Sequence, residues 1–257
     1  MDRWKGKVAV VTGASSGIGH AITKSLVEKG LLVVGLARRK EKVDELSNEL
    51  RNAPGKLYGV RADVTNETDI IDAFNWIKDN VGIVHILINN AGILRMTNLI
   101  EGQTALWQNM IDTNVLGLCI ATREAVKQMR AHNVDGHIVH INSISGHKVV
   151  YHPLMNLYPA TKHAVTALTE TLRQELNSLR SRIKISSVSP GFVETNIGAA
   201  AAVGSGNPER TTEMENAIRC DAALQPSDVA DAVMYVLSTP AHVQVHELML
   251  KPLHETF

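Results

Sequence analysis

Cysteine is nearly absent from this sequence. Its 257 residues hold only Cys119 and Cys220, too few for a disulfide framework and in keeping with a reducing compartment. Long hydrophobic runs are missing too. One of the longest, LLVVGLA at 31–37, falls far short of a bilayer span. The opening stretch, MDRWKGKVAVVTG, carries charge but no extended apolar segment. No signal peptide is therefore expected, and the expected location is cytoplasmic. Neither sign of charge dominates, since 26 basic residues balance 26 acidic ones. Such a chain has no global field to draw nucleic acid or an anionic membrane. No internal repeat, low-complexity tract or linker interrupts it, so a single domain over 1–257 is expected. With 44% apolar residues, a chain of this length buries a large core.

What is present is alternation. Short β-rich runs at 7–12, 31–37, 56–63, 85–90, 136–142, 182–190 and 245–250 predict strands. Between them, periodic stretches at 17–29, 39–52, 66–80, 104–131, 159–180 and 227–238 predict helices. Gly30 is placed to close the first helix, and Thr65 to cap the third. Strands apolar on both faces, each followed by a helix, predict an α/β fold: a parallel sheet with helices on both sides. The segment 192–214, with an alanine run between glycines, reads as a lid containing a helical piece.

The first strand ends in TGASSGIGH, with Gly13, Gly17 and Gly19 at a strand-to-helix junction. Missing side chains there let the backbone approach a pyrophosphate, and the helix N-terminus supplies N–H groups and positive dipole. No Lys-Ser/Thr follows the last glycine, which excludes a P-loop. The second strand lacks the acid that binds a ribose 2′-hydroxyl; Ala37, Arg38 and Arg39 stand there instead. An arginine pairs with a 2′-phosphate through two hydrogen bonds. The expected cofactor is therefore NADP, with Arg38 the favoured contact; the alternative is that both arginines are solvated residues at a helix start.

Tyr158 and Lys162 stand four residues apart, on one face of a predicted helix that starts at Tyr158 with Pro159 in its first turn. A free tyrosine is too weakly acidic to be a base at neutral pH. A neighbouring lysine cation favours the phenolate and lowers the pKa, so Tyr158 is expected to exchange a proton with an alcohol. The eleven histidines suggest no metal site. His137 and His140 are three apart on a strand and point to opposite faces, and His242 and His246 lie in extended chain. Cys119 is expected in the core.

These motifs together resemble those of the short-chain dehydrogenase/reductase family from end to end. The family's T-G-x-x-x-G-x-G stands as Thr12, Gly13, Gly17 and Gly19; N-N-A-G as Asn89 to Gly92; Y-x-x-x-K as Tyr158 and Lys162; and P-G as Pro190 and Gly191. The resemblance implies a seven-stranded, doubly wound Rossmann-type sheet and a catalytic Asn114, Ser143, Tyr158 and Lys162. Asn114 would hold a water that steadies Lys162. The serine is Ser143, counted from Gly146 at the end of the fifth strand; Ser145, counted back from Tyr158, is the alternative. Cofactor contacts are implied for Gly13, Ser15, Ser16, Gly17, Ile18, Gly19, Arg38, Arg39, Asp63, Val64, Asn90, Ala91, Gly92, Tyr158, Lys162, Pro190, Gly191, Val193 and Thr195. For Thr195 a helix cap is the other reading.

Helices equivalent to 104–131 and 159–180 pack between subunits in this family, which implies a homodimer or homotetramer. The stretches MDRWKGKVAVVTGASSGIG, VDGHIVHINSISGHKV and NLYPATKHAVTALTETLRQELNSLRSRIKISSVSPGFVET are similar to a narrower branch of the family. That branch implies NADP-dependent oxidation of a terpenoid alcohol, farnesol to farnesal, on the juvenile-hormone route. A carbonyl or hydroxysteroid substrate is the alternative. Specificity is expected to lie in the loop after Tyr151 and in the lid. From another class, a non-catalytic cofactor sensor remains, and presence of all four catalytic residues argues against it.

Overall fold

The computed structural model describes residues 1–149, 155, 157–213 and 223–255. Seven parallel strands form one sheet in the order β3-β2-β1-β4-β5-β6-β7. They are β1 (Val8–Thr12), β2 (Leu32–Ala37), β3 (Lys56–Arg61), β4 (Val84–Asn89), β5 (His137–Ile141), β6 (Lys184–Pro190) and β7 (Glu247–Leu250). The helices are α1 (Gly17–Glu28), α2 (Lys40–Glu49), α3 (Glu67–Asn80), α4 (Thr104–Ile111), α5 (Gly117–Ala131), α6 (Leu157–Ser178), α7 (Ile197–Gly204) and α8 (Pro226–Ser238).

Alternate residues of the central strands feed two separate cores. Ala9, Val11, Val33, Ile86, Ile88 and Val139 pack with Ile22 and Leu26 of α1 and Val233 and Leu237 of α8. Val8, Val10, Val34, Leu87 and Ile138 pack on the opposite face with Phe74 of α3, Ala121 and Met129 of α5 and Leu176 of α6. Every residue of β1, β5 and β6 is buried; β1 therefore reads as a nearly continuous apolar run, whereas β5 buries His137 and His140 and β6 buries Lys184 and three serines. Gly30, at φ 87°, ends α1 as expected.

Three local expectations are corrected. Asn66, not Thr65, caps α3, accepting from Thr68 N–H at 3.0 Å. The Asp63 carboxylate captures both the N–H and the hydroxyl of Thr65, at 3.0 and 2.8 Å, so the cap moves one residue on. The helix predicted over 104–131 is divided by a π-helical turn at Asp112–Leu116. The last strand begins at Glu247 rather than 245.

The chain runs outward from β1 in both directions, so the sheet reverses order between β1 and β4. A crevice opens at the carboxyl ends of strands at such a switch point. The loops after β1, β4, β5 and β6 all empty into it.

Candidate active site

The turn after β1 is built for close approach. Gly13 and Gly17 have φ of 68° and 55°, a region side chains disfavour. A Cβ on Gly13 would lie 3.0 Å from Ala91 Cα, and one on Gly19 would collide with the Asn90 amide and the Gly13 carbonyl. Asn90 clamps the turn: Nδ2 donates to Thr12 O at 2.9 Å and Gly13 O at 3.2 Å. Thr12 Oγ1 accepts the N–H groups of Asn90 and Ala91, each at 3.0 Å. The Asn90 amide thus holds the turn itself. Ser15, Ser16 and Gly17 remain at the surface at the N-terminus of α1, and Ile18 packs partly into the core beneath. Bare backbone with free N–H dipoles in a crevice fits a dinucleotide diphosphate.

At the end of β2, Arg39 reaches back to this turn, with Nη2 3.4 Å from Ser15 Oγ and 3.3 Å from Ser16 Oγ. Arg38 is exposed; burial first, and then the charge of Arg38, lower the pKa of Arg95. The sequence favoured Arg38; it is Arg39 that the structure joins to the glycine turn. Asp63 and Val64 follow β3. Val64 packs on Gly117, where a Cβ would lie 3.1 Å from Val64 Cβ.

Ser143 leaves the end of β5 and caps a short 3-10 turn, its hydroxyl accepting from Ser145 N–H at 3.1 Å. It also hydrogen-bonds Tyr158. His147 anchors this loop to the neighbouring strands, with Nε2 3.0 Å from Ser189 Oγ and 3.3 Å from Glu247 Oε2. Tyr158 lies in the first turn of α6, which begins one residue earlier than expected, at Leu157. Lys162, 6% exposed, follows one turn later. Its Nζ donates to Ile141 O at 2.9 Å and lies 5.8 Å from the Tyr158 ring centroid.

The expected electrostatics are corrected here. Burial pushes Tyr158 up to about 12, only partly opposed by the Ser143 hydrogen bond. Burial also holds Lys162 down to about 8. Lys162 does not offset the effect of burial on Tyr158, because both groups are desolvated and the ammonium is aimed at a carbonyl.

Asn114 sits in the π turn, a feature frequent at functional sites. Its Oδ1 accepts from Ile93 N–H at 2.8 Å, while Nδ2 donates to Ile93 O at 2.9 Å and Thr161 Oγ1 at 3.1 Å. Thr161 in turn donates to Tyr158 O at 2.8 Å. Asn114 therefore ties the exit of β4 to the start of α6. Gly92 lies between Asn114 and Lys162: a Cβ there would be 3.6 Å from Asn114 Oδ1 and 3.9 Å from Lys162 Nζ.

The far wall follows β6. The Glu255 carboxylate packs against Gly191, and burial raises its pKa. Val193 is buried and pairs with Leu224. Thr195 faces Gly17, with Cγ2 3.3 Å from a Cβ built there; the cap of α7 is Asn196, not Thr195. Leu94, Met96, Ala201 and Ala202 pack with Met155, Tyr158 and Ile197. An aliphatic wall thus borders the tyrosine.

Sequence reasoning gave no role to Thr12, Thr161, Ile93 or this wall. Only Thr12 carried a signal, as the first residue of the glycine motif. Of the loop that follows Tyr151, residues 152–154 and 156 fall outside the described residues, as does Cys220. Cys119 is half-exposed rather than core, lining a hollow of about 590 Å³ between α5 and α6. His137 and His140 diverge as expected, to Ser186 Oγ and Thr169 Oγ1, each at 2.9 Å. Among the described residues no cluster of three metal-ligating side chains occurs, and no helix is long and apolar enough to cross a membrane.

Residues 7–204 match the family model for short chain dehydrogenases. Farnesol dehydrogenase of Aedes aegypti is 49% identical over the whole of both chains. Human dehydrogenase/reductase SDR family member 11 is 46% identical over 98% of this chain and 96% of its own. Among solved structures, an alcohol dehydrogenase of Thermococcus sibiricus complexed with 5-hydroxy-NADP is 26% identical, with a TM-score of 0.80 over 96% of each chain. A short-chain dehydrogenase/reductase of Burkholderia phymatum in complex with NAD is 28% identical, with a TM-score of 0.86 over 97% of this chain and 90% of its own. By this match over most of its length and these identities over nearly the whole of each relative, the chain belongs to the short-chain dehydrogenase family of oxidoreductases.

Proposed function

We propose that this chain is an NADP-dependent oxidoreductase that interconverts farnesol and farnesal. The observation that carries this reading is the Tyr158 hydroxyl, bonded to Ser143 and set at the edge of the wall formed by Leu94, Met96, Met155, Ile197, Ala201 and Ala202. An isoprenoid chain matches a wall without charged groups, and the Aedes aegypti relative carries the farnesol dehydrogenase name.

Bound nicotinamide supplies the hydride acceptor or donor. Tyr158 exchanges the proton of the substrate oxygen, and Ser143 orients that oxygen. Lys162 offers positive charge to the forming phenolate, and Asn114 fixes the loop and helix that hold the pair. The cofactor contacts are those assigned above at the turn after β1, at Asp63 and Val64, at Asn90 to Gly92, and from Pro190 to Thr195, with 192–214 as the lid. The arginines at the end of β2, with no acid at Ala37, support NADP over NAD. The hollow between α5 and α6, with Leu118, Val126, Leu168 and Leu172 in its lining, supports a homo-oligomer. The scarcity of cysteine supports a reducing, cytoplasmic setting.

One observation favours a second reading. Burial pushes Tyr158 up to about 12, which favours its protonated form. A protonated tyrosine is ready to donate, which suits reduction of an aldehyde or ketone with NADPH.

The test is reduced-nicotinamide absorbance with farnesol, geraniol, a hydroxysteroid and a short secondary alcohol, each with NADP+ and with NAD+. Farnesol with NADP+ should turn over fastest, and Tyr158→Phe should abolish turnover while still binding cofactor. Turnover of the hydroxysteroid alone would discard the terpenoid reading. Cofactor binding without turnover in either direction would make the chain a sensor. A light-scattering mass of one chain would reject the oligomer.

A further inference from the structure

Thr166 stands one helical turn beyond Lys162 on α6, continuing the line of Tyr158 and Lys162 at intervals of four residues. A threonine inside a helix ordinarily turns its hydroxyl to the carbonyl four residues back. Thr166 Oγ1 lies 3.3 Å from that carbonyl, Lys162 O, but only 2.9 Å from Gly146 O on a separate segment. A hydroxyl has one proton to give, and the shorter contact marks Gly146 O as its main acceptor. The same oxygen accepts from Asn142 Nδ2 at 2.9 Å.

Those two partners enclose Ser143. Asn142 follows β5 and is held to β6, its N–H donating to Val188 O at 2.8 Å. Gly146 N–H donates to Ser143 O at 2.9 Å, which closes the turn. Gly146 has no room for a side chain: a Cβ there would lie 2.7 Å from the Asn142 amide and 2.7 Å from Lys162 O. The chain therefore leaves β5 at Asn142, carries Ser143, and returns onto α6 at Gly146, with the Thr166 hydroxyl bonded to both ends. On the same helix, Lys162 Nζ donates to Ile141 O at 2.9 Å. Further along α6, Thr169 Oγ1 lies 2.9 Å from His140 Nδ1 and donates to Val165 O at 2.8 Å. Thr169 is thus a matched comparison, a helix threonine bonded to β5 before the chain reaches Ser143.

We propose that Thr166 is a positioning residue: its hydroxyl closes the turn that carries Ser143 and so holds that serine against Tyr158. This rests on the reading above that Ser143 orients the substrate oxygen. Loss of the Thr166 hydroxyl leaves Asn142 Nδ2 and Gly146 O without their shared partner, and frees the turn to carry Ser143 off line. Misplacing a reacting contact by about 1 Å costs up to about a hundredfold in rate. The backbone bonds of α6 do not involve this hydroxyl, so the loss falls on Ser143 and spares the cofactor.

The experiment compares turnover of farnesol with NADP+, and direct NADP+ binding by calorimetry, across a set of variants. Thr166→Val should lower kcat roughly tenfold, close to Ser143→Ala, and leave NADP+ affinity within about twofold. Thr166→Ser keeps the hydroxyl and should hold kcat within about threefold of wild type. Thr166→Ala gives the same test if Thr166→Val fails to fold. Thr169→Val loses the matched hydroxyl outside the turn and should leave kcat within about twofold. Ser143→Ala combined with Thr166→Val should be no slower than Ser143→Ala alone, because the two substitutions remove one function. A kcat near wild type in folded Thr166→Val would overturn the proposal. So would an equal loss in Thr169→Val, or independent losses in the combined variant. The NMR signal of labelled Tyr158 Cζ, assigned by its loss in Tyr158→Phe, needs no turnover. In Thr166→Val it should move toward its position in Ser143→Ala, and in Thr169→Val it should stay. If wild type turns over no alcohol, or Ser143→Ala is as fast as wild type, the reading of the reaction fails instead. The Tyr158 signal then decides Thr166, and an unmoved signal in Thr166→Val overturns the proposal.

Discussion

Lys162→Met separates the electrostatic cost of the site from its chemistry. Burial lowers Lys162 from 10.5 to about 8. At neutral pH the folded protein therefore holds a cation that the unfolded chain carries more easily, a cost of about 3 kcal/mol at 1.36 kcal/mol per pKa unit. The sign follows from proton counting. Between the folded and unfolded pKa values, the unfolded state binds the extra proton, so stability rises with pH. The penalty is complete below about 8 and is relieved as pH climbs toward 10.5. From about pH 7 to about pH 9.5 the wild type should gain about 2 kcal/mol relative to Lys162→Met. The hydrogen bond to Ile141 O is lost in the variant at every pH and costs about 1–3 kcal/mol. At neutral pH the two terms nearly cancel, so the pH dependence of the difference, not its value, is the decisive quantity. Urea unfolding of both cofactor-free proteins at several pH values in this window measures it. A stability difference that stays flat would refute the claim that Lys162 is a strained buried cation.

Four further outcomes follow from the same geometry. Gly19→Ala should destabilise the fold by about 2 kcal/mol or more, because its Cβ meets the Asn90 amide and backbone; a shift in thermal midpoint reads this. Gly92→Ala should leave stability within about 0.5 kcal/mol, since no atom lies closer than 3.6 Å to the new Cβ; a loss as large as that of Gly19→Ala would contradict this steric account. Asn90→Ala should cost about 1–3 kcal/mol by freeing the carbonyls of Thr12 and Gly13, measured by urea unfolding. Ser143→Ala should lower kcat by about tenfold or more while Ser145→Ala stays near wild type; the reverse order would move the substrate-orienting role to Ser145.

Much of the architecture could be read locally. The strand positions were legible because central strands of a parallel sheet are apolar on both faces, and the helices because each buries one stripe. The glycine turn and the Tyr158–Lys162 pair were legible because their chemistry depends on spacing within one turn. The Thr65 cap misread a local competition: Asp63, two residues upstream, had already taken that hydroxyl. The π turn at Asp112–Leu116 left no mark, since its residues fit an α-helix equally well.

By itself, the sequence determined the fold class, the order of strands and helices, and which residues have the reactivity for proton and hydride chemistry. These follow from periodicity and functional groups, which are properties of short segments. Only the tertiary structure decided the electrostatic state of those groups and their partners. Tyr158 rises to about 12 and Lys162 falls to about 8 because packing removes water from both. Arg39 meets Ser15 and Ser16, and Arg95 meets the end of α7, because the fold brings segments distant in the chain together. Solvent exclusion and contacts between distant segments arise from the assembled fold, and no window of sequence contains them.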